Sequence, residues 1–194
     1  MMPRQQHVVV VAGPNGAGKS TSAPYLLRGR LGVTEFVNAD VIARGLSGFA
    51  PEAVAIEAGR IMLARMKTLQ QRGVSFAFET TLASRQVAAR IATWVDAGYE
   101  CDLVFLWLPS LEIAVARVAE RVRAGGHDVP EETIRRRYER GLMNFFHLRK
   151  AGLTAWRLYD SAGLKPRLVA RGSLRQETVL DRHVWQCLAE RYDG

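Results

Sequence analysis

One stretch, Gly13-Pro14-Asn15-Gly16-Ala17-Gly18-Lys19-Ser20-Thr21, constrains this chain more than any other. It follows the apolar run Val8 to Ala12 and precedes a helical pattern. A strand, a glycine-rich loop and a helix, in that order, are the context in which such a motif is a phosphate site. Gly13, Gly16 and Gly18 carry no Cβ, so the backbone can curl and turn its N–H groups inward. The helix opening after Gly18 adds unpaired N–H groups and the positive end of its dipole. Lys19 then reaches the β- and γ-phosphates, and the Ser20 hydroxyl is a magnesium ligand. The stretch from Gly13 to Thr21 is therefore expected to bind ATP with Mg2+. It leaves open what is done with the nucleotide, and leaves GTP as the other choice.

The remaining pattern alternates strand and helix. Strands are expected at Val8–Ala12, Phe36-Val37, Val74–Phe78, Cys101–Leu108 and Arg167–Ala170. Between and after them, helices are expected at Lys19–Arg30, Val41–Leu46, Ala53–Leu69, Arg85–Ala97, Leu111–Arg123, from Pro130 onward, and at Thr178–Arg191. Ile134, Tyr138, Leu142 and Phe145 form the apolar stripe of the helix after Pro130. Such alternation implies an α/β fold, with a central parallel sheet of about five strands and helices on both faces. The chain reads as a single domain over 1–194, with a helical, arginine-rich lid at 117–140. In sheets of this kind ligands sit outside the carboxyl ends of the strands.

Composition bounds the rest. The 194 residues are 48% hydrophobic, enough for a sizeable core. No apolar run approaches the ~20 residues that span a bilayer, and Met1 to His7 lacks the apolar stretch of a signal peptide, so a cytoplasmic protein off the membrane is expected. The two cysteines, Cys101 and Cys187, make neither a disulfide framework nor a zinc site, and Cys101 reads as a buried, inert thiol. Lys+Arg 27 against Asp+Glu 19 gives a net charge of +8, mostly from arginine. Arginine suits an anionic substrate. No lysine-rich tail and no aromatics interleaved with basic residues are present, so a nucleic-acid groove is not expected.

Several features fall at the strand ends. Asp40 follows the second strand, in Asn38-Ala39-Asp40. It could accept the proton of an attacking hydroxyl, hold magnesium through water, or cap the following helix. Glu79 and Thr80 end the third strand, and Glu79 either supports magnesium or, with Thr80, grips the acceptor. The fourth strand ends in Leu108-Pro109 with no acid, which argues against a motor ATPase. Arg117 and Arg121 share a helix face, and Arg123, Arg135, Arg136, Arg137 and Arg140 lie either side of Gly125-Gly126-His127-Asp128-Val129-Pro130. The segment reads as a lid that closes on phosphates and excludes water. His127 either touches substrate or caps a turn. Leu46-Ser47-Gly48-Phe49 only faintly echoes the signature of transport ATPases and is discounted.

Taken together, the loop, Asn38-Ala39-Asp40, Phe78-Glu79-Thr80-Thr81 and Arg117 to Arg137 with its Gly-Gly-His-Asp-Val-Pro centre resemble the zeta-toxin family of P-loop kinases. The resemblance runs from the P-loop through Asp160. It implies a nucleotide-kinase-like fold and transfer of the γ-phosphate of ATP to the 3′-hydroxyl of the amino sugar of UDP-N-acetylglucosamine. It further implies that Lys19 and Ser20 bind phosphate and magnesium, that Asp40 is the general base, and that Glu79 and Thr80 meet the sugar nucleotide. Arg117 and Arg121 would neutralise the transition state with one of Arg135 to Arg137, Arg136 being the one assigned to substrate. A cognate antitoxin is implied where a member is a toxin; a housekeeping kinase on the same scaffold is the alternative. Compact relatives tend to carry Asp-Asn-Ser where this chain has Asp160-Ser161-Ala162, and the best-studied toxins are longer. Two other functions fit the same residues: a nucleotide-dependent switch or nucleic-acid-handling ATPase, and a polynucleotide or nucleoside kinase.

Overall fold

The computed structural model describes residues 5–27, 33, 35–126 and 128–193. Its strands are β1 (His7–Ala12), β2 (Glu35–Val37), β3 (Phe76–Thr80), β4 (Glu100–Trp107), β5 (Ala155–Asp160), β6 (Arg167–Gly172) and β7 (Glu177–Val179). The helices are α1 (Lys19–Leu27), α2 (Ala39–Leu46), α3 (Ala55–Gln71), α4 (Arg85–Asp96), α5 (Leu111–Arg123), α6 (Glu131–Leu148) and α7 (Arg182–Tyr192), with a short 3-10 turn at Pro51–Val54. Residues 28–30 of the first expected helix, and His127, lie outside the described residues.

The strands form one seven-stranded sheet in the order β2-β3-β1-β4-β5-β6-β7. The first five run parallel, and β6 and β7 continue the sheet antiparallel. The expected α/β architecture is present, a P-loop kinase-like fold with a mostly parallel sheet. The fifth parallel strand, however, is β5 and not the segment around Arg167–Ala170, which is the antiparallel β6. The closing helix starts at Arg182, capped by the Asp181 carboxylate on the Val184 N–H at 3.1 Å, because 177–179 pairs with β6 instead.

β1 lies between β3 and β4, with Val10 opposite Phe78 on one side and Leu103 on the other. Successive strand residues point to opposite faces, so the burial of every residue from Val8 to Ala12 means both faces of the sheet are covered. That is why this strand is a continuous apolar run. On the Val8–Val10 face, Trp94 of α4 meets Phe76 and Phe78 edge-on, each at 5.5 Å, and Phe145 of α6 meets Phe105 at 5.1 Å. Trp185 of α7 stacks on Trp156 at 5.4 Å on the same side. One face of α6 is thus core: Ile134, Tyr138, Gly141, Leu142, Phe145, Phe146 and Leu148 are all buried. Cys101 is buried, and that burial pushes its thiol up to about 12, consistent with an inert group. Among the described residues no helix is long and apolar enough to cross a membrane.

Candidate active site

The sheet's central strand delivers its glycine-rich loop to the carboxyl edge. Gly13 has φ +144°, and a Cβ there would meet the Leu106 carbonyl oxygen at 2.3 Å, so β4 leaves no room for a side chain. Gly18 has φ +73° with open space around it, so its requirement is the left-handed backbone alone. The loop closes on itself: the Ala17 N–H donates to the Pro14 carbonyl at 3.3 Å, and Lys19 Nζ to the same carbonyl at 2.9 Å. Lys19 is only 7% exposed. Burial lowers its pKa from the usual lysine value, while Glu79 and Asp40 oppose that shift.

A second group assembles around Glu79 at the end of β3. Its Oε2 accepts from Ser20 Oγ and from Asn38 Nδ2, each at 2.7 Å, and its Oε1 lies 3.8 Å from Lys19 Nζ. Of the two roles left open for Glu79, this geometry favours the magnesium side over the acceptor side. Ser20 spends its proton on Glu79, which leaves its oxygen lone pairs available to a cation. Among the described residues no cluster of three or more His, Cys, Asp or Glu could hold a metal by itself. A magnesium ion here would therefore come with the nucleotide phosphates, with Ser20 and Glu79 as its protein partners. Thr80, assigned to substrate, instead accepts the Leu82 N–H at 3.0 Å and braces a turn in which Leu82 has φ 57°.

Asn38, not Asp40, caps α2. Its Oδ1 accepts the N–H groups of Asp40 at 2.8 Å and Val41 at 3.3 Å, while its amide donates to Glu79. One buried side chain thus ties the end of β2, the start of α2 and the end of β3 together. The capping role considered for Asp40 is taken, and the Asp40 carboxylate stands exposed on the cavity wall, near enough to Lys19 and Arg137 to act on both charges. Asn38→Ala removes the cap and one of the two donors to Glu79 Oε2. We expect a loss of about 1–2 kcal/mol in stability from the cap alone, read by chemical denaturation, with a larger fall in magnesium-dependent nucleotide affinity, read by calorimetry.

The arginines divide into distinct roles. Arg117 is spent on backbone: it donates to the carbonyls of Ser161 at 2.8 Å, Ala162 at 2.6 Å and Gly16 at 3.4 Å. Ser161, itself buried, donates its hydroxyl to the Ala17 carbonyl at 2.8 Å. Arg117 and the turn after β5 therefore hold the P-loop from behind, and the transition-state role expected of Arg117 is not what this geometry suggests. Arg121 lines the cavity and lies near enough to Lys19 to depress its pKa. Arg136 is exposed, whereas Arg137 reaches Asn15 Oδ1 at 3.5 Å and is coupled to Asp40. The arginine of this trio that reaches the loop is Arg137, while Arg136, the one assigned to substrate, is exposed. The phase of α6 sets Arg136 apart. The apolar stripe from Ile134 to Phe145 points into the core, and Arg136 sits on the opposite side at about 100° per residue.

Lys19, Ser20, Asp40, Glu79, Arg117 and Arg121 share a cavity of about 680 Å³. Its walls are the P-loop from Asn15 to Thr21, Glu79, Asp40, and the lid side with Arg117, Arg121, Gly125, Gly126 and Asp128. A further wall, not foreseen from the sequence, comes from α2, the 3-10 turn and the start of α3, with Arg44, Gly48, Phe49 and Glu52. The roles of Asn38 and Ser161 are the others that sequence reasoning missed.

Residues 8–141 match the family described as AAA domain (AAA_33), and the chain belongs to that family. An uncharacterized protein of Haemophilus influenzae is 28% identical over 134 residues, covering 69% of this chain and 94% of its own length. Among solved structures, the AvrRxo1-ORF1:AvrRxo1-ORF2 complex with sulphate ions superposes with a TM-score of 0.74 at 17% identity, covering 98% of this chain. The same pair with ATP superposes at 0.72. This chain spans 64% of the length of that AvrRxo1 chain. The PezAT chromosomal toxin-antitoxin system of Streptococcus pneumoniae superposes at 0.61 with 15% identity, covering 97% of this chain and 79% of the other. At these identities the likeness is one of fold.

Proposed function

We propose that this member of the AAA-domain family is a small-molecule kinase that moves the γ-phosphate of ATP to a hydroxyl of an anionic acceptor, with UDP-N-acetylglucosamine as the leading acceptor. The observation that carries this reading is the position of Asp40. Relieved of capping by Asn38, its carboxylate shares a cavity with Lys19, Ser20 and Glu79. A hydrolytic switch needs only an ordered water; a carboxylate on the wall of a 680 Å³ cavity that extends past the P-loop suits a larger nucleophile.

In this mechanism the loop N–H groups and Lys19 hold the β- and γ-phosphates. Ser20 and Glu79 would hold a magnesium ion arriving with the nucleotide, which would supply charge neutralisation at the transferred group. Asp40 accepts the proton of the acceptor hydroxyl as its oxygen bonds to the γ-phosphorus and the bond to the ADP oxygen breaks in line. Arg121 and Arg137 compensate the charge on the equatorial oxygens, and Arg117 keeps the loop in place. Little covalent chemistry is asked of the protein; position and charge do the work. An antitoxin-type partner belongs to this reading as well, since AvrRxo1-ORF1 and the PezAT toxin are each found with a partner chain.

The test is ATP turnover by the purified chain with magnesium. Addition of UDP-N-acetylglucosamine is expected to raise turnover at least tenfold over the rate with water alone, and oligonucleotides are expected to leave it unchanged. Equal rates with and without every acceptor would favour the hydrolytic switch.

A further inference from the structure

Beyond Asp40 the cavity continues along α2 and the 3-10 turn. Arg44 lies four residues after Asp40, so the two occupy one face of α2, about 6 Å apart along its axis. The Arg44 Nε donates to the Asp40 carbonyl at 3.3 Å, which ties the base of the guanidinium to this wall. Phe49 follows at the rim and is fully exposed, a large ring that the protein itself leaves uncovered. Beside it, Gly48 has no positive φ, and a Cβ added there would meet no atom within 4 Å. Neither backbone conformation nor packing demands a glycine at that point; the space next to it is the cavity.

A single exposed aromatic on an open surface carries no meaning. On a cavity wall it offers a flat face on which a heterocyclic base can stack. The Arg44 guanidinium offers a planar fork of donors that fits a phosphate. Resting on the phosphotransfer reading above, we propose that this end of the cavity is the acceptor subsite, with Arg44 on a phosphate of the acceptor and Phe49 stacked on its planar ring. The groups are met in the order hydroxyl at Asp40, phosphate at Arg44, ring at Phe49. That order fits an acceptor in which a phosphate separates the reacting sugar from a heterocycle, as in a sugar nucleotide. A polyol or alicyclic acid would leave Phe49 unused.

The experiment uses the intact chain with ATP and magnesium, and three probes of decreasing length: UDP-N-acetylglucosamine, N-acetylglucosamine 1-phosphate and N-acetylglucosamine. The KM for UDP-N-acetylglucosamine is expected to be at least tenfold below that for N-acetylglucosamine 1-phosphate. Phe49→Ala should raise the former about tenfold and leave the latter in place, so that the difference closes, while Phe49→Trp keeps it open. Arg44→Ala should raise the KM of both phosphorylated probes and not that of free N-acetylglucosamine. An acceptor KM that moves less than twofold in Phe49→Ala overturns the subsite and leaves the kinase standing. So does phosphate transfer to acceptors that lack a heterocycle, such as shikimate or gluconate, but not to UDP-sugars. Free phosphate as the sole product with all acceptors overturns the kinase reading, and the subsite with it.

Discussion

Asp40→Asn is expected to slow phosphoryl transfer by about 10²–10⁴-fold, the usual contribution of a positioned general base, while ATP binding survives. The geometry separates the two effects. The Asp40 side chain makes none of the bonds that shape the P-loop; the cap of α2 is Asn38, and the ligand-side bonds of Ser20 run to Glu79. Loss of its negative charge also removes a group that stands near the incoming γ-phosphate, so nucleotide affinity should hold or improve. Transfer rate and ATP affinity measured on the same preparation check this. If affinity falls as far as the rate, Asp40 belongs to the nucleotide site and not to the proton transfer.

Lys19→Met gives the opposite pattern. Deleting one member of a buried charge pair with phosphate costs about 2–5 kcal/mol, so ATP affinity should fall by at least about 30-fold, and the rise in melting temperature that ATP gives the native chain should vanish. Without nucleotide, the same substitution should raise the melting temperature, because Lys19 is buried and its charge is disfavoured there. The pH dependence follows. The folded chain releases the Lys19 proton at a lower pH than the unfolded chain, which holds it up to about 10.5. The unfolded state therefore binds more protons between those two values, and stability of the nucleotide-free chain rises with pH across that window. Lys19→Met should flatten that part of the profile. Calorimetric scans of both proteins between neutral pH and pH 10.5 read it directly.

The parts of this account that were legible in the sequence are those written in adjacent residues. The P-loop needs glycines, a lysine and a serine at fixed spacing, and the chain states them in nine positions from Gly13 to Thr21. Asp40 and Glu79 could be picked out because apolar strands end just before or at them. Groups joined only by folding were less accessible. The Ser161 bond to Ala17 spans 144 residues, and that from Arg117 to Ala162 spans 45. β5 was missed because Arg157 interrupts its apolar pattern; in the sheet that arginine lies 3.6 Å from Asp102 on β4. The choice of Arg136 over Arg137 is a different matter. The stripe Ile134, Tyr138, Leu142 and Phe145 fixes the helix phase and places Arg136 away from the core side, so that signal was present in the sequence. The role of Asn38 turns on where β2 stops: both Asn38 and Asp40 can cap, and only the end of the strand at Val37 decides between them.

The central claim is that the γ-phosphate leaves ATP for a hydroxyl and not for water. The most direct measurement is the mass of the products formed by the purified chain from ATP, magnesium and UDP-N-acetylglucosamine, with Asp40→Asn alongside. A phosphorylated sugar nucleotide is expected in amounts that match the ADP formed, and is lost in the variant. ADP matched instead by free phosphate, at the same rate with or without the sugar nucleotide or any other acceptor, would contradict it.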